Sequence, residues 1–335
     1  MEVTKSGVDA GRGLGWAERT MVNLHTAKRF EDLLGAEVEA SPYEYGLMFE
    51  AKGWWARRRA KARWKLVRKI DAKLRRVLRP EERVYHVSTG MLSDLGTQFF
   101  EGGTAAYYVN MRALVFTTER IVLLQIGSAQ KPGLLVSELP YAALREVKGT
   151  WTGMCQLTLV NGKKHKLSRM PKADRKYLQG FLSGVVAQGG AAAESAVGGL
   201  RKGADGFMHL CPHCFAGVAG RPTECPACGG GIRSANTAAL LSLVFPGLGD
   251  WYLGYRGLAV MEMIGAVFLW FVLVIAPSMR PEAVEGMEGG PIWGVAISII
   301  VVAHVVDAVM TRGYALKGHY PGRAPRPRAE QVARA

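Results

Sequence analysis

Two long apolar runs near the C-terminus constrain the fold of this chain more than any other feature. The run 258–276 holds nineteen residues with one acidic side chain, Glu262, and the run 291–310 holds twenty residues that include His304 and Asp307. A helix that spans a membrane needs about 20 apolar residues. The runs therefore predict two membrane-spanning helices, and the alternative is a buried helical hairpin in a soluble domain.

The charges beside these runs predict their orientation. The loop between them carries one Arg and three Glu, whereas arginine residues precede the first run and arginine and lysine residues follow the second. Because Lys and Arg favour the cytoplasmic side, we expect a protein integral to the cell (inner) membrane, with its soluble domains and both termini in the cytoplasm. The N-terminal residues have no basic start followed by an apolar run, so no cleaved secretory signal is expected.

A third apolar stretch, 238–249, has twelve residues, which cover about 18 Å of helix at ~1.5 Å per residue. That length predicts a re-entrant or interfacial segment, with Trp251 and Tyr252 at the level of the headgroups. Its pattern Pro246-Gly-Leu-Gly249, followed by further glycines, resembles the entry to the two-transmembrane-helix domain of many bacterial zinc-ribbon membrane proteins. The resemblance covers residues 236–315, implies no agreed biochemical activity, and departs from the family form at Asp250-Trp251.

Three ionisable side chains lie within the predicted spans: Glu262, His304 and Asp307. Unpaired charge is costly in a membrane, so such residues are functional candidates. The first interpretation is interfacial placement with hydrogen bonds that hold the hairpin together. The alternative is a path for protons or ions, as in a small transporter subunit.

Four cysteines form two Cys-x-x-Cys pairs ten residues apart: Cys211, Cys214, Cys225 and Cys228. This spacing predicts a closed tetrahedral site for a structural Zn²⁺ ion, and a redox dithiol is the competing interpretation. The segment resembles the short zinc ribbons found beside membrane helices in bacteria. Cys155, in an alternating run of apolar residues, is predicted to be a buried core thiol.

The net charge of +15 is concentrated in residues 51–80, which hold 13 basic residues and one acidic residue. Apolar residues recur there at spacings of three and four, which predicts a basic amphipathic helix that ends before Pro80. Contact with an anionic membrane surface, packing on the neighbouring domain and binding to nucleic acid are the three interpretations. The candidate membrane-surface residues are Trp54, Trp55, Arg57, Arg58, Arg59, Lys61, Arg63, Trp64, Lys65, Arg68 and Lys69.

Between the basic helix and residue 187, the composition predicts an antiparallel sheet followed by a helix. Short runs rich in β-branched and aromatic residues occur near residues 83–87, 105–109, 112–116, 121–126, 156–160 and 164–167, with the hairpin signal Asn161-Gly162 between the last two. An amphipathic helix is predicted at 172–186.

The motifs Leu78–Val84, Phe116–Leu124 and Leu139–Val147 in this region are similar to those of bacterial pleckstrin-homology-like (GRAM-like) domains. The resemblance covers residues 78–187 and implies a β-barrel or sheet closed by a C-terminal helix. Such a fold supports binding to lipid, to protein or to itself and does not name a function.

The sequence thus predicts a multidomain α+β membrane protein that is not an enzyme. We expect an adaptor or sensor that binds a lipid headgroup or an unknown protein partner; a membrane-tethered nucleic-acid binder is the alternative. The expected units are an acidic region 1–50, the basic helix 51–80, the pleckstrin-homology-like domain 81–187, a Gly/Ala-rich linker 188–206, the zinc ribbon 207–233, the membrane domain 236–311 and a basic disordered tail 312–335.

Overall fold

The computed structural model describes residues 41–49, 56–93, 109–127, 129–150, 153–196, 206–275 and 290–325. Within them the chain is a mixed α+β protein with one open antiparallel sheet and two long apolar helices. The expected strand at 105–109 falls almost wholly outside these residues, as do Trp54 and Trp55.

The structure contains seven α-helices and nine strands in its described residues, with a short 3₁₀-helix, Tyr141–Ala143, between β4 and β5. The helices are α1 (Tyr45–Met48), α2 (Ala56–Val77), α3 (Lys172–Ala196), α4 (Ala235–Val244), α5 (Leu248–Leu253), α6 (Arg256–Trp270, continued by a π-helical turn, Phe271–Ile275) and α7 (Gly290–Ala315). The strands are β1 (Val84–Ser93), β2 (Met111–Thr117), β3 (Arg120–Ile126), β4 (Pro132–Pro140), β5 (Leu144–Gly149), β6 (Cys155–Leu159), β7 (Lys164–Ser168), β8 (Met208–Leu210) and β9 (Gly217–Val218).

All nine strands belong to one sheet with the order β5-β6-β7-β1-β2-β3-β4-β8-β9. The hairpin predicted at Asn161-Gly162 joins β6 and β7, with Gly162 at φ +84°. At the other end, β8 and β9 come from the cysteine-containing segment and extend the sheet beyond β4, where Ser137 faces His209. The cysteine segment is therefore part of the sheet and is not a separate module on a tether.

The central strands β2 and β3 are buried along their whole length, which explains their nearly continuous apolar sequence. Side chains of successive residues point to opposite faces. Ala113 and Val115 pack toward α2, whereas Leu114 and Phe116 pack toward α3 and the strands β5 to β7. The sheet thus separates two apolar cores.

Helix α2 packs its apolar stripe on the first of these cores. Ala60, Val67, Ile70, Leu74 and Val77 are all at most 6% exposed. The spacing of three and four therefore serves packing against the sheet, as one of the three interpretations of the basic helix predicts. The charged residues between these positions remain on the outer face.

Helix α3 is longer than the sequence predicts. It continues to Ala196, ten residues past the expected end at 186, and includes much of the segment expected to be a linker. The extension follows from local helix propensity, because this stretch is rich in alanine, the residue that favours helix most. The neighbouring glycines oppose helix formation but do not end the helix.

The described residues after α7, up to 325, pack on the helical unit, whereas the sequence predicts a disordered tail from 312. Helix α7 ends at Ala315 rather than near 310. Tyr320 is fully buried, and its hydroxyl contacts the Tyr255 hydroxyl at 2.7 Å and donates to the Tyr314 carbonyl at 3.0 Å. The tail sequence is rich in proline and arginine, and the buried ring of Tyr320 supplies the apolar surface that fixes this segment.

The helices α4 to α7 form a compact helical unit at the end of the chain. The residues Pro246-Gly-Leu-Gly249 break the apolar stretch 238–249, so that α4 and α5 are separate helices. Gly247 adopts φ +87° at the break. A Cβ atom at Gly249 would lie 2.3 Å from the Ala238 carbonyl oxygen. The glycines therefore permit the close approach of α4 and α5.

The outer surface of this helical unit is apolar. Of the large hydrophobic side chains that are exposed in the described part of the chain, all but Met208 lie between Leu240 and Val309. Only 11% of the apolar window in Arg256–Ile275 and 17% of that in Trp293–Ala315 is buried. Both helices are long and apolar enough to cross a membrane.

One buried ion-pair network joins the end of α2 to the sheet. Arg120 donates to Glu82 from Nε at 2.9 Å and from Nη2 at 2.7 Å, bonds to Glu138, and donates to the Val77 carbonyl at 3.0 Å. Arg120, Glu82 and Glu138 are each at most 4% exposed. Arg120, the first residue of β3, therefore has a structural role in joining α2 to the sheet.

We predict that Arg120→Met destabilises the full chain by about 3–5 kcal/mol, because two buried carboxylates would lose their countercharge. The matched control is Arg79→Met, which removes a solvent-exposed pair with Glu119 and should cost less than about 1 kcal/mol. Denaturant unfolding of the detergent-solubilised protein measures both. Equal effects of the two substitutions would show that the Arg120 network does not hold the helix to the sheet.

Candidate metal centre and buried polar clusters

The four cysteines of the two Cys-x-x-Cys pairs lie together at the end of the sheet. Their Sγ atoms are all within 4.8 Å of one another. The Cys211–Cys228 and Cys214–Cys225 Sγ separations are both 3.8 Å. Tetrahedral ligation with metal–sulfur bonds of about 2.3 Å requires sulfur atoms about 3.8 Å apart. The four thiols therefore form a cluster of the size that a metal ion needs.

Each Cys-x-x-Cys pair forms a tight turn of the same design. Phe215 N donates to the Cys211 carbonyl at 3.0 Å, and Gly229 N donates to the Cys225 carbonyl at 2.8 Å. Phe215 and Gly229 have φ of +59° and +68°. Backbone amides also approach the sulfur atoms, with His213 N 3.4 Å from Cys211 Sγ. Such donors stabilise thiolates, which are the form that binds metal.

His213 lies inside the first pair but outside the sulfur cluster. Its Nε2 atom lies 3.1 Å from the Gly231 carbonyl oxygen. This contact joins the two turns, and His213 is not among the clustered residues that could hold a metal ion.

The cysteine segment is bonded on both sides. On one side β8 pairs with β4, and Ser137 Oγ lies 2.8 Å from His209 Nδ1. On the other side the chain after α7 pairs with it: Gly231 N donates to the Arg323 carbonyl and Gly322 N to the Gly231 carbonyl, both at 2.8 Å. The segment is a joint between the sheet and the helical unit.

A second set of contacts fixes the sheet to the helical unit directly. Gln125 Nε2 donates to the Tyr255 hydroxyl at 2.8 Å, and Lys317 Nζ donates to Asn110 Oδ1 at 2.7 Å. Leu135 of β4 packs in one apolar cluster with Tyr314 and other residues of the helical unit. The cysteine cluster therefore lies beside an extensive interface between the sheet and the helical unit.

Within the helical unit, three carboxylates meet. Oxygen atoms of Asp250, Glu262 and Asp307 all lie within 4.8 Å of one another. Asp307 Oδ2 accepts from Gly247 N at 3.1 Å, and Thr311 Oγ1 donates to Asp250 Oδ2 at 3.3 Å. Asp250 Oδ1 and Glu262 Oε2 are buried and have no hydrogen-bond partner in the described residues. Asp250 is buried, and Glu262 and Asp307 are half-buried. Repulsion between three carboxylates this close favours a shared proton or a bound cation.

Sequence reasoning named two members of this cluster and missed the third. Glu262 and Asp307 come together, whereas His304 is held apart by a contact of its Nδ1 atom with the Leu243 carbonyl at 2.9 Å. Asp250 was noted only as a departure from the family pattern. The predicted run ends at 310, three residues after Asp307. Because α7 instead ends at Ala315, Asp307 lies eight residues, or about 12 Å, inside the helix.

The structure separates the candidate surface residues of α2 into two groups. Arg58, Lys61, Lys65, Arg68 and Lys69 are exposed. Trp64 is partly buried against the core beneath the Arg68 guanidinium, whose carbon is 4.7 Å from the indole ring centroid. The side chain of Arg57 lies outside the described residues, and Arg59 is half-buried.

Arg63 is not a surface residue, which corrects its assignment to the membrane-facing set. It is 9% exposed, donates to Asp174 Oδ1 at 2.6 Å and contacts the Met48 carbonyl. Ser88 donates to Asp174 Oδ2 at 2.6 Å. His86 Nε2 lies 3.7 Å from Asp174 Oδ1, beyond hydrogen-bond distance. Burial lowers the pKa of His86 to about 4, so it is neutral in this cluster.

Cys155 lies in the second core and is fully buried, as the sequence predicts. Burial raises the pKa of its thiol to about 11, which keeps it protonated at neutral pH.

Comparison with known proteins supplies no relative for this chain. It matches no protein-family model, no curated protein and no solved structure.

Proposed function

We propose that this protein is a membrane-anchored adaptor or sensor without enzymatic activity. In this proposal α6 and α7 cross the inner membrane, the sheet domain lies in the cytoplasm, and the cysteine segment holds a structural Zn²⁺ ion between them. The observation that carries the proposal is the coupling of the cysteine cluster to both the sheet and the apolar helices.

The exposed apolar surface of α6 and α7 supports membrane insertion. A soluble protein of this kind would bury two such helices, since large exposed apolar surfaces promote association. Helix α6 and its π-helical turn instead expose valine, isoleucine and phenylalanine side chains, and α7 exposes valine and isoleucine side chains. Arginines at the Arg256 end of α6 and near the end of α7 favour the cytoplasmic side for both.

The cysteine geometry supports zinc over a redox role. Four thiols at tetrahedral spacing satisfy a closed site that leaves no position for a substrate. In such a site the ion stabilises the fold and contributes no Lewis-acid chemistry. The cysteine segment has only a small apolar cluster of its own. Binding of a metal ion by its four thiolates would therefore contribute much of the folding free energy of the segment.

The sheet domain, with its C-terminal helix α3, supports the resemblance to pleckstrin-homology-like domains in its element order. The exposed basic face of α2 supports an anionic partner. With the apolar stripe of α2 buried in the core, the contact would be electrostatic rather than by insertion of that stripe. A membrane surface is favoured because the same chain carries two apolar helices, and nucleic acid is the alternative.

A second candidate function is conduction of protons or cations through the helical unit. The specific observation in its favour is the meeting of Asp250, Glu262 and Asp307 at a break between two short helices. Broken helices supply backbone groups that bind ions in transporters. The cluster would then act within a larger assembly, since one helical hairpin alone encloses no pore.

For the zinc site, we predict that the purified full chain contains one Zn²⁺ ion and that the double substitution C211S/C214S loses it. Metal analysis of the detergent-solubilised protein measures this. Cys155→Ser is the matched control, because it removes a buried thiol outside the cluster, and it should keep the metal. Cysteines that exchange between dithiol and disulfide forms with no metal bound would instead support the redox interpretation.

For the basic face, we predict that K61Q/K65Q/R68Q weakens co-flotation of the full chain, held in neutral nanodiscs, with anionic vesicles. Removing three surface charges should lower binding by about 3 kcal/mol in total at low salt. The control R145Q/K148Q/K164Q removes three exposed charges from β5 and β7. Binding that ignores salt and anionic lipid, or a stronger salt-dependent shift with DNA, would contradict the lipid assignment.

For the carboxylates, the second candidate predicts a cation or proton flux in proteoliposomes that E262Q and D307N abolish. Glu81→Gln, which removes an exposed carboxylate between α2 and β1, is the control. Flux that is absent in the native protein, or that survives both substitutions, would leave the cluster with a structural role.

A further inference from the structure

We infer that a cleft between the cysteine segment and the start of α6 binds the phosphate headgroup of an anionic phospholipid. The cleft has a volume of about 660 Å³. Arg233, Arg256 and Arg323 line it, together with Trp251 and Tyr252. This inference rests on the proposed membrane insertion of α6 and adds a binding site to it.

The charge of the cleft favours an anion. Three arginines face the single carboxylate of Glu224 among the lining residues. In the described ranges no carboxylate lies within ion-pair distance of Arg233, Arg256 or Arg323. Guanidinium groups bind phosphate oxygens with two parallel hydrogen bonds, which makes arginine a preferred phosphate ligand.

Two aromatic rings hold two of these arginines in place. The Arg233 guanidinium carbon lies 5.3 Å from the Tyr252 ring centroid, and that of Arg256 lies 5.9 Å from the Trp251 centroid. Both distances are within the range of cation–π attraction. The pairing orders the guanidinium groups while leaving their N–H donors without a carboxylate partner, so less entropy is lost when a phosphate binds.

The position of the cleft favours a lipid over a soluble phosphate. Trp251 is 49% exposed and precedes α6 by five residues, so insertion of α6 would place it near the headgroups, where aromatic residues are enriched. Arg256 begins α6, and Val260, Ile264 and Val267 follow at four, eight and eleven residues. Residues at this spacing share one helix face, and all three are exposed. A headgroup on Arg256 would therefore place its acyl chain along this apolar stripe.

The tail segment after α7 completes the site. Arg323 reaches the cleft because its backbone carbonyl accepts a hydrogen bond from Gly231 N, and Arg233 N donates to the Tyr320 carbonyl at 3.0 Å. Three separate elements thus supply one arginine each. A bound headgroup would link the cysteine segment, the membrane helix and the tail.

Retention of lipid by the purified full chain tests the site. The protein is washed free of lipid in detergent, mixed with phosphatidylglycerol or phosphatidylcholine, repurified and analysed by mass spectrometry. We expect preferential retention of phosphatidylglycerol and about a tenfold loss of affinity for each of R233Q, R256Q and R323Q, since each removes a charged hydrogen-bond donor. The control R312Q removes an exposed arginine at the end of α7, outside the cleft, and should retain the lipid. Bound metal in each variant confirms its fold.

Equal retention of the two lipids, or an equal loss with R312Q, would overturn the site. Displacement of phosphatidylglycerol by millimolar inorganic phosphate would overturn the lipid as ligand and assign a soluble phosphate. Alkaline carbonate extraction of membranes separates the two proposals. A chain that is extracted contradicts membrane insertion, whereas a chain that stays in the membrane but retains no phosphatidylglycerol contradicts the headgroup site alone.

Discussion

The backbone pairing of the cysteine segment, with β4 on one side and the chain after α7 on the other, is the contact on which the arrangement of this protein depends. The segment is too short to form a core of its own, and its apolar cluster has only four buried residues, Cys211, Val218, Cys225 and Ile232. It can hold two partners in register only if its two turns are fixed. Four thiolates around a metal ion would fix them, so the proposed ion would stabilise an interface as well as a local fold.

The distribution of charge and apolar surface follows from the same arrangement. Helix α2 packs its apolar stripe on the sheet and turns its basic residues outward, while α6 and α7 do the reverse and expose their apolar side chains. Lys73 Nζ donates to the Gly133 carbonyl at 2.5 Å, so even within α2 some of the basic residues bind the domain itself. The other basic residues of α2, apart from the buried Arg63, lie largely on its outer face. The arginines of the cleft at the start of α6 are likewise on the outside of the protein.

Sequence patterns predicted the elements whose local signals are strong. Helices α2, α6 and α7, the β6–β7 hairpin and the approach of four cysteines all follow from spacing within one segment. The patterns did not predict what depends on long-range contact. Asp250 joins Glu262 and Asp307 only because two glycines let α4 and α5 pack closely, and Arg63 is buried only because Asp174, in a distant helix, meets it. The packed tail segment was not predicted because Tyr320 finds its partners far away in the sequence, in Tyr255 just before α6 and in Tyr314 of α7.

Hydrogen exchange of the full chain in detergent, with and without a zinc chelator, tests the central claim most directly. We predict that removing the metal raises exchange in residues 208–232 and, together with them, along the β4 edge and in 319–323, while β1 and β2 stay protected. Loss of the metal with unchanged protection of β4 and 319–323 would contradict the account. The sheet and the helical unit would then be held together by their direct contacts alone.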